Sequence, residues 1–140
     1  MSYSRRDLSL LLPALLAAAE ATAQDKGLPS KIYRFEELPV KGNGPRSRAI
    51  LDGKTYNGYP LEVHATELAP GLAPHPPHHH EHEEMFLMRE GTLEATIAGK
   101  VSKLSPGSVA YVHSNEEHGV RNAGTTTAHY FVIALGSKSA

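Results

Sequence analysis

The stretch PHPPHHHEHEEMFLMREGTLEATI, residues 74–97, carries both the chemistry and the strand pattern of this chain. Its first half gathers five of the nine histidines into the eight positions from His75 to His82. Its second half is β-like. In Thr92-Leu93-Glu94-Ala95-Thr96-Ile97 polar and apolar residues alternate strictly, which puts Leu93, Ala95 and Ile97 on one face of a half-buried strand, and Ala98-Gly99 follows as a tight hairpin turn. Residues two apart in an extended chain point the same way, so His78 and His80 present both imidazoles to one side, a natural metal chelate. Glu84 has the same parity, but six residues of straight strand would carry it roughly 20 Å from His78. A ligand atom sits only ~2.0–2.2 Å from a metal ion. For Glu84 to join the pair, the chain has to bend between Glu81 and Glu83.

On both sides of this stretch lie short β-like runs with turn signals between them: residues 48–51, 61–68, 84–89, 92–97, 101–104, 108–113 and 129–135. From residue 46 onward no run has helical spacing. Many short strands without helices between them predict an all-β fold, a single antiparallel β-barrel or sandwich built by residues 46–140. By parity with Glu84, Phe86 and Met88 face the interior and form an apolar wall beside any bound ion. Residues 24–45 carry Gly27, Pro29, Pro39, Gly42, Gly44 and Pro45, too much punctuation for a long helix, and read as an extended arm with short strand pieces around residues 32–35.

Residues 1–23 have the three parts of an export signal: Arg5 and Arg6, an apolar run over residues 8–19, and the small residues Ala21-Thr22-Ala23 before Gln24. A helix over that apolar run spans roughly 18 Å, short of the ~30 Å hydrocarbon core, so a stable membrane anchor is not expected. Its leucines surround the helix and form no stripe for docking on a domain. Ser4-Arg5-Arg6-Asp7-Leu8 also resembles the twin-arginine export motif, which would take the chain folded to the periplasm or outside the cell.

At 140 residues the chain has room for one domain. Lys and Arg number 14 against 15 Asp and Glu, a net charge of -1, and no basic block tracks a phosphate backbone; nucleic acid is excluded as a partner on that ground. Cysteine is absent, which removes disulfides, thiolate metal sites and a cysteine nucleophile, and leaves nitrogen and oxygen donors for a metal. There is no Gly-x-Ser-x-Gly elbow. The carboxylate pair of a glycosidase does not stand out among Glu81, Glu83, Glu84, Glu116 and Glu117, which more simply solvate the turns around the site.

Further along, Ser114-Asn115-Glu116-Glu117 suits a turn that delivers His118 from a separate strand. The chain now resembles the cupin superfamily. His78, His80, Glu84 and Gly91 match that family's first motif without a gap, and Gly99, His118 and Asn122 meet part of the second. His113 and Asn115 stand where the second motif has a proline and a glycine; Asn tolerates the left-handed conformation that glycine would supply. Ser105-Pro106-Gly107-Ser108 resembles the turn that cupins use before the strand leading to the last ligand. The resemblance covers residues 61–135. It implies a double-stranded β-helix of the jelly-roll type and one divalent transition metal ion (Mn, Fe, Cu, Ni or Zn) held by His78, His80, Glu84 and His118. A low-complexity histidine loop would need neither Glu84 six residues before a glycine nor a distant His-x-x-x-Asn.

His75, His79 and His82 fall outside this implied ligand set, with His82 the best placed to join because it lies in the expected bend. His64, His113 and His129 sit in strand runs, where a hydrogen-bonded structural role is ordinary, and His64 and His113 are candidates to line a cavity. Three histidines and a carboxylate leave one or two positions open on the ion, as catalysis requires. The expected function is a metal-dependent enzyme acting on a small organic molecule by dioxygenase-type or Lewis-acid chemistry, with Glu84 a possible base; the alternative is a non-catalytic module that binds metal or a small ligand. The arm and the strand edges, with the family's habits, also predict a homodimer.

Overall fold

Along residues 128–135 burial alternates without a break: Ala128, Tyr130, Val132 and Ala134 are buried and their neighbours half-buried. That period of two makes a strand with one face in a core. The computed structural model describes residues 27–137, and within them eight strands follow the same logic: β1 (Arg46–Lys54), β2 (Pro60–Leu68), β3 (Glu83–Glu90), β4 (Leu93–Ile97), β5 (Lys100–Leu104), β6 (Val109–Val112), β7 (His118–Asn122) and β8 (Ala128–Leu135). Each of the seven predicted runs falls on a strand. The eighth, β7, is the one that brings in His118.

All pairings between these strands are antiparallel. They form a five-stranded sheet in the order β1-β2-β8-β3-β6 and a three-stranded sheet in the order β5-β4-β7. Between them lies one apolar cluster, with Leu68, Phe86, Met88, Val112, Tyr130 and Val132 from the larger sheet and Leu93, Ala95, Leu104 and Val120 from the smaller. Burying each of the larger side chains is worth about 1.5–3 kcal/mol. The fold is the expected all-β jelly-roll arrangement, but the sheets do not close into a continuous barrel, since β5 and β6 remain edge strands.

Turns account for the motif glycines. Gly91 has φ of 80°, and a Cβ there would stand 2.7 Å from the carbonyl oxygen of Thr127, so no other residue fits between β3 and β4. Ala98 and Gly99 both have positive φ, the geometry of a tight hairpin turn that twists with its strands.

The arm departs from expectation. Residues 32–35 form no strand; instead Phe35–Glu37 makes a single turn of 3-10 helix. Phe35 lies under the guanidinium groups of Arg48 and Arg89, at 4.7 and 5.3 Å from the ring centroid, and Arg48 Nη1 donates to the carbonyl of Leu38 at 2.7 Å. These contacts with side chains, rather than strand pairing, fasten that part of the arm. The predicted export signal lies outside the described residues. Among the described residues no helix is long and apolar enough to cross a membrane.

Candidate metal centre

The connection from β2 to β3 carries the histidine cluster, and its backbone is tied to β7. Asn122 exchanges hydrogen bonds with Gly71 and Leu72, each 2.9 Å. Farther along, His78 and His118 bond to each other, and the amide of Asn115 donates to the carbonyl of His80 at 2.7 Å. The loop thus serves as an irregular partner for the free edge of β7. Pro77 closes against Gly119, whose missing Cβ would lie 3.2 Å from the proline ring. Asn115 adopts φ of 61°, the left-handed conformation anticipated at that position. The chain bends at Glu81 and His82, between His80 and Glu84 as expected, and β3 begins directly after the bend.

These ties gather the predicted donors. One ligand atom from each of His78, His80 and His118 lies within 4.8 Å of the others. Glu84 Oε2 stands 3.1 Å from His118 Nε2 and 3.7 Å from His80 Nε2. The Nδ1 atoms of His118 and His80 bond to the backbone carbonyls of Glu116 and His82, at 2.9 and 2.8 Å, which turns each Nε2 inward. Sequence reasoning could not name these two carbonyls, because they are backbone groups placed by turns. His78 Nδ1 and His80 Nε2 are buried without a hydrogen-bond partner. Buried polar atoms ordinarily have partners, and inward-facing ring nitrogens around one carboxylate are the donor set that a divalent transition metal takes. The residues fit such an ion.

Their electrostatics agree. Burial and the neighbouring His75, His118 and His80 lower the pKa of His78, keeping its ring neutral and able to ligate. His118 is raised, chiefly by its hydrogen bond to Glu84. Burial by itself would raise the Glu84 carboxyl, but the hydrogen bond and charge of His118, with His80 and His82, outweigh it and hold the group below its ordinary value. Without a metal, His118 and Glu84 favour each other's charged forms across their 3.1 Å contact.

The other histidines divide. His82 stacks on His80 with centroids 3.5 Å apart and planes 8° from parallel, and forms a second donor group with His80 and Glu84 within 4.8 Å. His75 meets His78 edge-on at 4.2 Å. His79 and His113 are exposed, and His113 bonds to the carbonyl of Ser114, outside the cavity. His64 does line a cavity of about 300 Å³ beside Glu84, together with Arg46, Thr66, Phe86 and Tyr130. Phe86 thus forms part of the predicted apolar wall; Met88, one step farther along β3, is buried in the core and absent from the cavity lining. Thr66 and Tyr130 were not singled out from sequence. The Tyr130 phenol bonds to Thr66 and is pushed up by burial, so it stays protonated. Asn122 is not near the cluster chemically: its side chain donates to the carbonyls of Leu68 and Thr126 and accepts from Gly124, pinning the turn between β7 and β8.

A family model described as a cupin domain matches residues 64–134. Similar solved structures include an RmlC-like cupin from Shewanella frigidimarina, 18% identical, with 77% of this chain and 93% of that one covered at a TM-score of 0.63. A predicted oxalate decarboxylase from Thermotoga maritima is 18% identical, with 76% and 100% covered at 0.67. The polyketide cyclase RemF from Streptomyces resistomycificus is 20% identical, with 81% and 83% covered at 0.64. Among curated proteins no match was found.

Proposed function

We propose, since this chain belongs to the cupin family, that it is a metal-dependent enzyme acting on a small organic molecule, with His78, His80, Glu84 and His118 holding one divalent transition metal ion. The observation that carries this reading is the meeting of inward-facing, buried ring nitrogens with Glu84 on the wall of a cavity of about 300 Å³. Such a volume suits a small substrate. The similar structures are named for unlike reactions, a decarboxylase and a cyclase among them, so fold alone does not select the chemistry.

A bound ion would supply Lewis acidity to a substrate oxygen or activation of dioxygen. The protein's own part is positioning and exclusion of water. Phe86 gives the cavity an apolar wall, while the Tyr130 hydroxyl, His64 and Arg46 offer polar contacts for orienting a substrate. Glu84 serves as ligand and as a base for a substrate proton. The second reading, a binding module without turnover, is favoured by nothing specific in the site.

Export by the segment 1–23 and a homodimer that covers the open strand edges complete the proposal. A monomeric mass in solution argues against the dimer, and retention of residues 1–23 in the exported protein argues against the signal. The central test is elemental analysis of the purified protein followed by an oxygen-uptake screen over small organic substrates. Stoichiometric manganese, iron or copper with oxygen uptake supports a dioxygenase; zinc, or turnover without oxygen, supports lyase, hydrolase or isomerase chemistry. A His118→Ala variant with undiminished metal affinity would overturn the four-ligand centre.

A further inference from the structure

Two histidines outside the proposed ligand set line the cavity beside Glu84, His64 and His75. His75 is exposed, with its ring edge-on to His78 and its Nδ1 3.1 Å from the carbonyl oxygen of Pro76. His64 is half-buried on β2, and its Nδ1 stands 3.3 Å from Glu62 Oε1. We propose that His64 is the base that takes a proton from the substrate, that Glu62 orients its ring, and that the substrate is a small carbonyl compound losing a proton from the carbon beside its carbonyl group. This rests on the reading of the site as that of a metal-dependent enzyme.

Residues two apart on a strand share a face, so the contact between Glu62 and His64 is built into β2. Across the sheet Glu62 stands in one row with Ala134 and Glu84, and His64 in the next row with Val132 and Phe86. β8 alone separates β2 from β3, which puts the backbones of His64 and Glu84 two strand spacings, roughly 10 Å, apart across the sheet. Only the short side chains of Val132 and Ala134 stand between them, and the cavity of about 300 Å³ opens there. A carboxylate at the Nδ1 edge favours the neutral ring with its proton on that atom, which leaves the lone pair of Nε2, on the opposite edge, as the base. Glu84 shares its charge with His118 at 3.1 Å and with any ion it ligates, so a proton released on the far side of the cavity falls to His64. With the substrate's carbonyl oxygen toward the donor cluster and its C–H toward His64, charge develops at one end of the cavity while the proton leaves at the other. The C–H bond breaks, its electron pair forms the carbon–carbon double bond of an enolate whose charge rests on oxygen, and the proton forms an N–H bond at Nε2. Return of the proton to the same carbon, or to another atom of the enolate, restores the base, and no oxidant or reductant is needed.

The test is exchange of the methylene protons of hydroxyacetone for deuterium, followed by proton NMR in D2O with the zinc-loaded full chain. Exchange is expected to run faster than with the same zinc free in solution. His64→Gln, which keeps a polar side chain of similar reach but has no base, is expected to slow it about 100-fold, the share that general base catalysis supplies, with zinc affinity unchanged. A second readout needs neither metal nor turnover: nitrogen NMR of the His64 ring in the metal-free chain should find the proton on Nδ1. Glu62→Gln presents an amide donor to Nδ1, so it should move that proton to Nε2 and slow exchange by about tenfold or more, the cost of the wrong tautomer. Exchange in His64→Gln as fast as in the unaltered chain, or a proton on Nε2 in the unaltered chain, would overturn the proposal. A zinc-loaded chain that exchanges no deuterium overturns the base and its substrate class but leaves the four-ligand centre standing. Failure of the unaltered chain to bind zinc would instead remove the metal centre, and the NMR of the His64 ring would still decide what Glu62 does.

Discussion

His78 and His118, forty positions apart, exchange two backbone hydrogen bonds, at 3.0 Å from the His78 amide and 2.9 Å from the His118 amide. Their rings consequently lie close, with centroids 4.7 Å apart and planes tilted by 46°. These two candidate ligands are thus brought together by main chain, and the site's geometry depends on how closely the loop lies against β7.

Gly119 is the residue that permits this approach, so Gly119→Val should push Pro77 and His78 away from β7. All four proposed ligands remain in that variant. Zinc affinity is expected to fall by roughly tenfold or more, as for loss of a supporting partner, with the far-UV circular dichroism of the β-sheets retained. Unchanged affinity would mean that the bridge does not shape the centre.

Metal removal should destabilise the protein by mass action. At a free metal concentration of 100 times Kd the ion contributes about 2.7 kcal/mol, which for a domain of this size corresponds to roughly 10 °C in Tm. Calorimetric scans before and after chelation measure the shift. Glu84→Gln should shrink it.

Proton competition follows from the His118–Glu84 pair. His118 is raised above its ordinary value, chiefly by its hydrogen bond to Glu84, so in the metal-free protein it keeps its proton to higher pH than a free imidazole does, and that proton must leave before Nε2 can ligate. Metal affinity should therefore rise with pH up to the raised pKa of His118, by up to about tenfold per pH unit while one proton is displaced. Titration calorimetry in buffers of different ionisation heat should detect its release. Glu84→Gln removes the main cause of the raised pKa and should reduce the proton count near neutrality.

Asn122→Ala separates structure from chemistry. The Asn122 amide satisfies two carbonyls and one amide while itself 1% exposed, and truncation leaves those groups unpaired in the interior. We expect a loss of about 3 kcal/mol in urea unfolding, with metal affinity below the transition changed less than in Gly119→Val.

Strand periodicity made most of the fold legible. Alternation in β4 and the runs that became the other strands needed only local pattern, because a half-buried strand writes its two faces into every second residue. The pairing of His78 with His80 and the bend before Glu84 were likewise local consequences of strand geometry. The short β7 escaped that reading: apart from Arg121 it is buried throughout, and a strand without a solvent face shows no alternation. The 3-10 turn at Phe35 escaped it too, since what holds that ring is a pair of arginines from β1 and β3.

Residue order alone therefore established the strand class of the fold and the donor chemistry, because period and side-chain type are properties of neighbours along the chain. Which histidines meet is a matter of tertiary structure. His82 beside His80, His64 in the cavity wall, His113 turned away and His118 facing Glu84 all depend on contacts between distant segments or on loop conformation, and hydrogen bonds between loop and β7 backbones leave no mark in the identity of the side chains they bring together.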